Sequence, residues 1–455
     1  MRIAFKGTLG VAILSILMVC SLNAKTANSF TPNVMGPLWL ETESQWQTFT
    51  ADLKAAKAIG VRAVTIDVWW GTAEHAGDQQ FDWSYYDRIF ETILEHELRI
   101  IPIMSFHQCV GNVNDDCNVP LPRWIWNQHK NLPSNALKYK SEQGNFSNEY
   151  LSLWANEYAV PQYIEFMQAF EKQYADIADH IDELNISMGP AGELRLPSYN
   201  QHDSGTHYPT RGGWQVYGSL AVADFRNYLH QKYGNIGQLN RHWQTKFRSF
   251  DDIEPAKPEL CAELHCLETI DWFHSALLNH GETLLKAGNQ AFSSAFRTIP
   301  LGYKIPGIHW LMAKTGKWHR AAEIATGLLP ATIEQGSGYA NVIKLAKTPL
   351  DGRQIILHFT TLEMADSPDE PAYSLANTLV QSFTQEAEAM RVNVKGENSL
   401  AAGITNSFGW MNIDQHFAQG RFTGITVLRL NTLVNSKGKE FYQSFIEKYS
   451  SALVQ

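Results

Sequence analysis

The stretch Gly189–Tyr199, GPAGELRLPSY, sets a single carboxylate, Glu193, directly behind the strand-like run Leu184-Asn185-Ile186-Ser187-Met188 and beside Arg195. Glycines at 189 and 192 and prolines at 190 and 197 bend the backbone there, so Glu193 is expected where a strand gives way to a rigid loop. In an α/β barrel, that is the position from which catalytic side chains project. A second acid with the same setting lies far downstream: Glu397, in Lys395-Gly396-Glu397-Asn398, follows Met390-Arg391-Val392-Asn393-Val394. One such glutamate would be read as a helix cap or the partner of an arginine. Two of them on separate strand ends suggest glycosidic chemistry, which needs an acid and a base flanking the scissile bond.

Working outward, strand-like and helical runs alternate, the pattern of a parallel sheet. The strand candidates are Val34–Leu40, Arg62–Trp69, Arg99–Phe106, Leu184–Met188, Arg297–Lys304, Gln354–Thr360, Met390–Val394 and Gly424–Leu430. Helical patterns at Glu43–Ile59, Trp83–His96, Val160–His180 and Thr269–Phe292 fall between them. Eight strands with intervening helices predict an α/β fold of the (β/α)8 TIM-barrel type. The connections 107–160 and 195–265 are longer than barrel turns require and are expected to build the site as long loops. No internal repeat or Ser/Pro/Gly-rich linker divides the chain, so residues 25–455 are expected to form one catalytic domain. The residues after Arg429 are too few for an appended carbohydrate-binding module, and none is expected.

The first 24 residues read as a signal peptide. Arg2 and Lys6 supply its positive end, Thr8 to Leu22 its apolar run, and Ala24 a small residue at the cleavage point. The apolar run is short for spanning a bilayer, and bulky Val19 before Cys20 does not suit lipoprotein processing. An exported protein is expected, periplasmic or extracellular, with no membrane contact once the signal is removed. The net charge of −9 argues against nucleic acid or anionic membrane partners. A monomer is expected. Four cysteines remain after Cys20, an even number in an oxidising compartment, and three pairings are formally open. Two local pairs are simplest, Cys109 with Cys117 and Cys261 with Cys266, and neither spacing resembles a zinc site.

Several short motifs together resemble one family, the β-amylases of glycoside hydrolase family fourteen, from about residue 33 to about residue 445. They are Asp67-Val68-Trp69-Trp70-Gly71, Ser105-Phe106-His107-Gln108-Cys109, Gly111-Asn112-Val113-Asn114-Asp115 and the Glu193 segment. Further along come Gly307-Ile308-His309-Trp310, Phe359-Thr360-Thr361-Leu362-Glu363-Met364, Gly396-Glu397-Asn398 and Thr426-Val427-Leu428-Arg429-Leu430. The resemblance implies a (β/α)8 barrel that removes maltose from the non-reducing ends of α-1,4-glucans with inversion at the anomeric carbon. By the same resemblance Glu193 is the general acid and Glu397 the general base. Inversion implies carboxyl groups roughly 6.5–9.5 Å apart, with room for a water. Lys304 is a candidate cation for keeping Glu397 ionised.

The resemblance also implies sugar contacts from Asp67, His107, Asp115, Lys304, His309, Thr360, Asn398, Ser399 and Arg429. Asp67 and His107 would close the cleft around the terminal glucose, and Asp115 would lie on a loop that folds over the substrate. Val110, Leu196, Leu311 and Thr361 depart from the family pattern and bear on subsite affinity more than on the reaction. No cofactor is expected for catalysis. Glu74, Asp78, Gln79 and Glu165 resemble a structural calcium segment of bacterial members, although Gln162 stands where another carboxylate is expected. Two other readings share these features. A sugar-binding protein on the same fold would release no maltose from starch, and an endo-acting hydrolase would give mixed products.

Overall fold

The protein is described from a computed structural model covering residues 30–110, 116–198, 203–206, 211–258, 261, 263–310, 320–332 and 338–451. Eight strands form its centre: β1 (Thr31–Met35), β2 (Ala63–Trp69), β3 (Arg99–Ser105), β4 (Leu184–Ile186), β5 (Leu301–Ile305), β6 (Ile355–Phe359), β7 (Val394–Glu397) and β8 (Phe422–Val427). Each pairs in parallel with the next, and β8 closes on β1 through the register Thr31↔Gly424 to Val34↔Val427. This is the closed (β/α)8 barrel that the alternating pattern predicts.

The outer layer contains α1 (Glu43–Ala58), α2 (Ser84–Glu95), α3 (Asn156–Gln173), α4 (Ser219–Tyr233), α5 (Ile236–Trp243), α6 (Leu264–Ala291), α7 (Ala376–Ala389), α8 (Ser407–Phe417) and α9 (Gly438–Ser451). Helix α1 starts at a capping box in which Thr42 accepts from the Gln45 amide and Gln45 reaches back to the Thr42 backbone. Its buried face, Trp46, Phe49, Leu53 and Ala56, recurs every three or four residues and packs on the barrel wall.

Strand β8 runs from Phe422 to Val427 where Gly424–Leu430 is expected, because Leu430 already begins a short helix. Three further strands are displaced from the sequence-based boundaries, each for a backbone reason. Strand β1 ends at Met35, because Pro37 cannot donate to the ladder. Strand β5 begins only after Pro300, since residues 294–299 form turns closed by Arg297 N–H to the Ser294 carbonyl and Ile299 N–H to the Phe296 carbonyl. Strand β7 begins at Val394, because Met390 still caps α7 and Arg391 takes a left-handed φ of 54°. Glu397 is therefore the last residue of its strand and not the first of a loop. The long connection over residues 195–265 also departs from a simple loop: it carries α4 and α5, with buried stripes Ala221, Phe225, Leu229, Tyr233 and Leu239, Trp243. Helix α4 packs toward α6.

Two disulfides join Cys109 to Cys117 and Cys261 to Cys266, with Cα atoms 5.8 Å and 4.7 Å apart. The sequence-predicted signal segment and Asp115 lie outside the described residues. Among the described residues, no helix is long and apolar enough to cross a membrane.

Candidate active site

At the C-terminal ends of the strands, one cavity is lined by Asp67, His107, Glu193, Lys304, Thr360, Glu397, Asn398, Ser399 and Arg429. These side chains come from widely separated parts of the chain and meet only because each follows or ends a barrel strand. Met35, Leu38, Trp69, Ile103 and Gln108 complete much of the wall. Trp69 is fixed by donating its indole N–H to the Leu38 carbonyl at 2.9 Å.

Glu193 reaches the cavity through a short detour of the chain. After β4, residues Pro190–Gly192 make a single tight turn, with Ala191 at φ 56° and Gly192 at φ 76°. The backbone then returns to the barrel, where Glu193 forms a parallel bridge with Lys304 and Leu194 N–H donates to the Lys304 carbonyl at 2.8 Å. Gly192 is required twice over, by its left-handed φ and because a Cβ there would come 3.3 Å from His107 Cε1. Arg195 Nε donates to Glu193 Oε2 at 2.9 Å. Burial is the largest influence on this carboxyl and raises its pKa, Arg195 and Lys304 oppose it, and the negative charge of Glu397 adds to the rise.

Glu397 has the opposite balance. Burial alone would raise its pKa, but Lys304 and His358 outweigh burial and lower it. Lys304 Nζ grips both carboxylate oxygens, at 2.9 Å and 3.0 Å. His358 Nδ1 lies 3.6 Å from Oε1, beyond hydrogen-bond length, and acts through charge. The side chain of Glu193 is 21% exposed and that of Glu397 is 7% exposed, so Glu193 lies nearer the open side and Glu397 sits deeper.

The remaining predicted site residues divide by what holds them. Asp67 accepts from Ser105 Oγ at 2.7 Å. His107 shares a 2.8 Å hydrogen bond with Ser187 Oγ, and burial lowers its pKa to about 4, which favours a neutral ring. Asn398 is fully buried; its amide donates to the Leu400 and Leu428 carbonyls and accepts from Leu428 N–H at 2.8 Å, which ties the ends of β7 and β8 together. Ser399 N–H and Leu400 N–H donate to the buried Glu363 carboxylate, which fixes the turn after the base. Arg429 Nη1 donates to the Gly36 carbonyl at 3.2 Å. Thr360 precedes Thr361, whose φ of 70° is strained for a β-branched residue. His309 does not line this cavity: its Nδ1 shares a 2.7 Å hydrogen bond with Ser374 Oγ.

Sequence reasoning missed the charged layer beneath the site. Glu183 is fully buried, with one carboxylate oxygen on His358 Nε2 and the other 2.7 Å from Lys395 Nζ. A signal was present, because His358 and Lys395 stand two positions before Thr360 and Glu397 and so share their faces of the strands.

The Glu74 group lies apart from this cavity. Glu74 accepts from Trp70 Nε1 at 2.6 Å and from the Gln79 amide at 2.5 Å. Burial, with the charges of Asp78 and Glu165, lifts its pKa to about 7. Glu165 Oε2 and Gln162 Oε1 are buried without a hydrogen-bond partner. Oxygen donors with unspent lone pairs and crowded negative charge suit a calcium ion. Among the described residues, no three His, Cys, Asp or Glu side chains group closely enough to hold a metal by themselves. A cation would need amide or backbone oxygens and water to complete its shell.

Comparison with known proteins gives a consistent result. The model of glycosyl hydrolase family 14 matches residues 33–451. A β-amylase of Niallia circulans is 35% identical over 438 residues, covering 94% of this chain and 72% of the relative. A β-amylase of Cytobacillus firmus is 35% identical over 424 residues, covering 91% and 85%. The catalytic domain of a β-amylase from Paenibacillus polymyxa superposes with a TM-score of 0.81 at 34% identity, covering 92% of this chain and 99% of that one. A β-galactosidase of Marinomonas ef1, at TM-score 0.55 and 14% identity over 91% of this chain and 59% of its own, shares the fold alone.

Proposed function

The chain belongs to glycosyl hydrolase family 14, and from that premise we propose that Glu193 protonates the leaving glycosidic oxygen while Glu397 activates water on the opposite face of the sugar. Its activity is that of a β-amylase, hydrolysis of α-1,4-glucans with release of maltose from non-reducing ends. The observation that carries the residue assignment is the opposed setting of the two carboxyls in one cavity: burial raises the pKa of Glu193, and the Lys304 ammonium on both oxygens of Glu397 lowers that of Glu397.

In the reaction the C–O bond on the leaving side breaks, and its electron pair takes the proton from Glu193. Water adds to the anomeric carbon and gives its own proton to Glu397. Exchange with solvent then returns a proton to Glu193 and removes the one on Glu397. Asp67, His107, Thr360, Ser399 and Arg429 offer polar groups along the same wall for sugar hydroxyls; His309, outside that wall, and Asp115, outside the described residues, remain proposals for substrate contact. Calcium enters only as a structural ion at Glu74, Asp78, Gln79 and Glu165, with no part in the reaction. A rise in thermal midpoint on adding calcium, absent in Glu165→Gln, would support it, and no rise would remove it. The two disulfides support export to an oxidising compartment and a role outside the cytoplasm.

Incubation with soluble starch tests the exo reading. Maltose is expected as the overwhelming early product. A ladder of mixed oligosaccharides would favour an endo-acting hydrolase, and no release at all a sugar-binding protein.

A further inference from the structure

Lys304, His358 and Lys395 are register partners on β5, β6 and β7, and therefore share one face of the sheet, the barrel interior. Barrel interiors at this depth are ordinarily filled by branched apolar side chains. Here three basic groups meet two glutamates, Glu183 from below and Glu397 from above. The side chain of His358 is 2% exposed and that of Glu183 is not exposed at all. The layer is tight: a Cβ on Gly302 would fall 2.2 Å from Glu183 Oε1 and 1.6 Å from Asn185 Oδ1.

Both ring nitrogens of His358 face carboxylates. Nε2 is hydrogen-bonded to Glu183 Oε1, while Nδ1 has no hydrogen-bond partner and stands 3.6 Å from Glu397 Oε1. A neutral imidazole would turn a lone pair toward one of the two anions, whereas an imidazolium offers an N–H to each. We propose that His358 is a positioning residue for Glu397: an imidazolium gripped by Glu183 below, it presents Nδ1–H to the base and keeps that carboxylate charged and oriented. The inference rests on Glu397 being the base. Glu183 is a stable anchor, because Lys395 and His358 overcome its burial and hold its pKa down to about 2. The charged groups facing His358 are Glu183, Glu397, Lys304 and Lys395, and in their field its own pKa is raised in spite of burial. Lys304 alone would leave one side of Glu397 without a counter-charge.

The test is kcat/KM against pH for His358→Asn on a soluble maltooligosaccharide, beside the wild type. Losing a cation next to the base makes its proton harder to remove, so the acidic limb is expected to move up by about one pH unit. The alkaline limb, which belongs to Glu193, is expected to stay. A uniform drop with both limbs unmoved would mean that His358 only fills space, and overturns the proposal. Neutron diffraction from wild-type crystals at neutral pH gives a second reading that needs no variant. Deuterium on both ring nitrogens of His358 supports the proposal, and a bare nitrogen overturns it. If the wild type released no maltose, the assigned reaction would fail on its own account, and the neutron result would still decide the charge of His358.

Discussion

Glu193 and Glu397 are the same side chain in two settings, and the difference is made by a handful of atoms. Glu193 has one guanidinium edge on Oε2 and otherwise little to offset burial, whereas Glu397 has an ammonium on both oxygens. Activity should therefore fall as pH drops through the depressed pKa of Glu397 and again as pH rises through the raised pKa of Glu193. Glu193→Gln and Glu397→Gln keep the shape of each group but can neither donate the acid proton nor accept one from water. Each is expected to cost at least about a hundredfold in kcat with circular dichroism unchanged. A folded variant that kept a substantial fraction of maltose release would remove that residue from the role. The pair and the Lys304 contact were readable in the chain because each sits in a short, distinctive segment. Glu183, His358 and Lys395 were not, because an isolated ionisable residue inside a strand reads as solvent-facing until the register turns it inward.

At the scale of elements, the barrel strands carry the polar groups and the connections shape access to them. The bridge between Cys109 and Cys117 is one such device. Cys109 lines the cavity, and its N–H and carbonyl pair with those of Val119 at 2.9 Å and 3.0 Å, so the disulfide and two hydrogen bonds close the neck of one loop. Cys117→Ser should raise KM for short substrates more than it lowers kcat, since this loop contributes no acid or base. Equal loss in kcat with KM unchanged would contradict that division, as would free thiols at both positions in peptide mapping under non-reducing conditions. The alternation of strands and helices was legible because periods of 2 and 3.6 separate cleanly over long runs. Boundaries at β1, β5 and β7 were not, because Pro37, Pro300 and the left-handed Arg391 act on single backbone groups inside otherwise apolar stretches. Helices α4 and α5 were lost in a polar stretch whose apolar stripe shows only once its packing surface is known.

For the whole molecule, burial of histidines makes stability depend on pH in a direction that can be worked out. His107, His280, His309 and His416 all have pKa values lowered by burial to about 4 from an ordinary 6.5. Between those values the unfolded chain binds more protons than the folded one, so their stabilising effect is complete above pH 6.5 and is lost as pH falls toward 4. His358 and the buried carboxyls of Glu74, Glu193, Glu323 and Glu363 run the other way, since a raised pKa makes the folded state bind protons more readily as pH falls. NMR signals of the four lowered rings should therefore stay those of neutral imidazole from pH 6.5 down toward pH 4, and protonation near pH 6.5 would show that the rings are not buried neutral. The same barrel brings two carboxyls into one cleft, and the central claim is that Glu397 activates water and never attacks the sugar. Proton NMR of the first product formed from a maltooligosaccharide, read before mutarotation, tests this most directly. The account predicts β-maltose. Initial α-maltose, or a covalent glycosyl-enzyme trapped on Glu397, would contradict it.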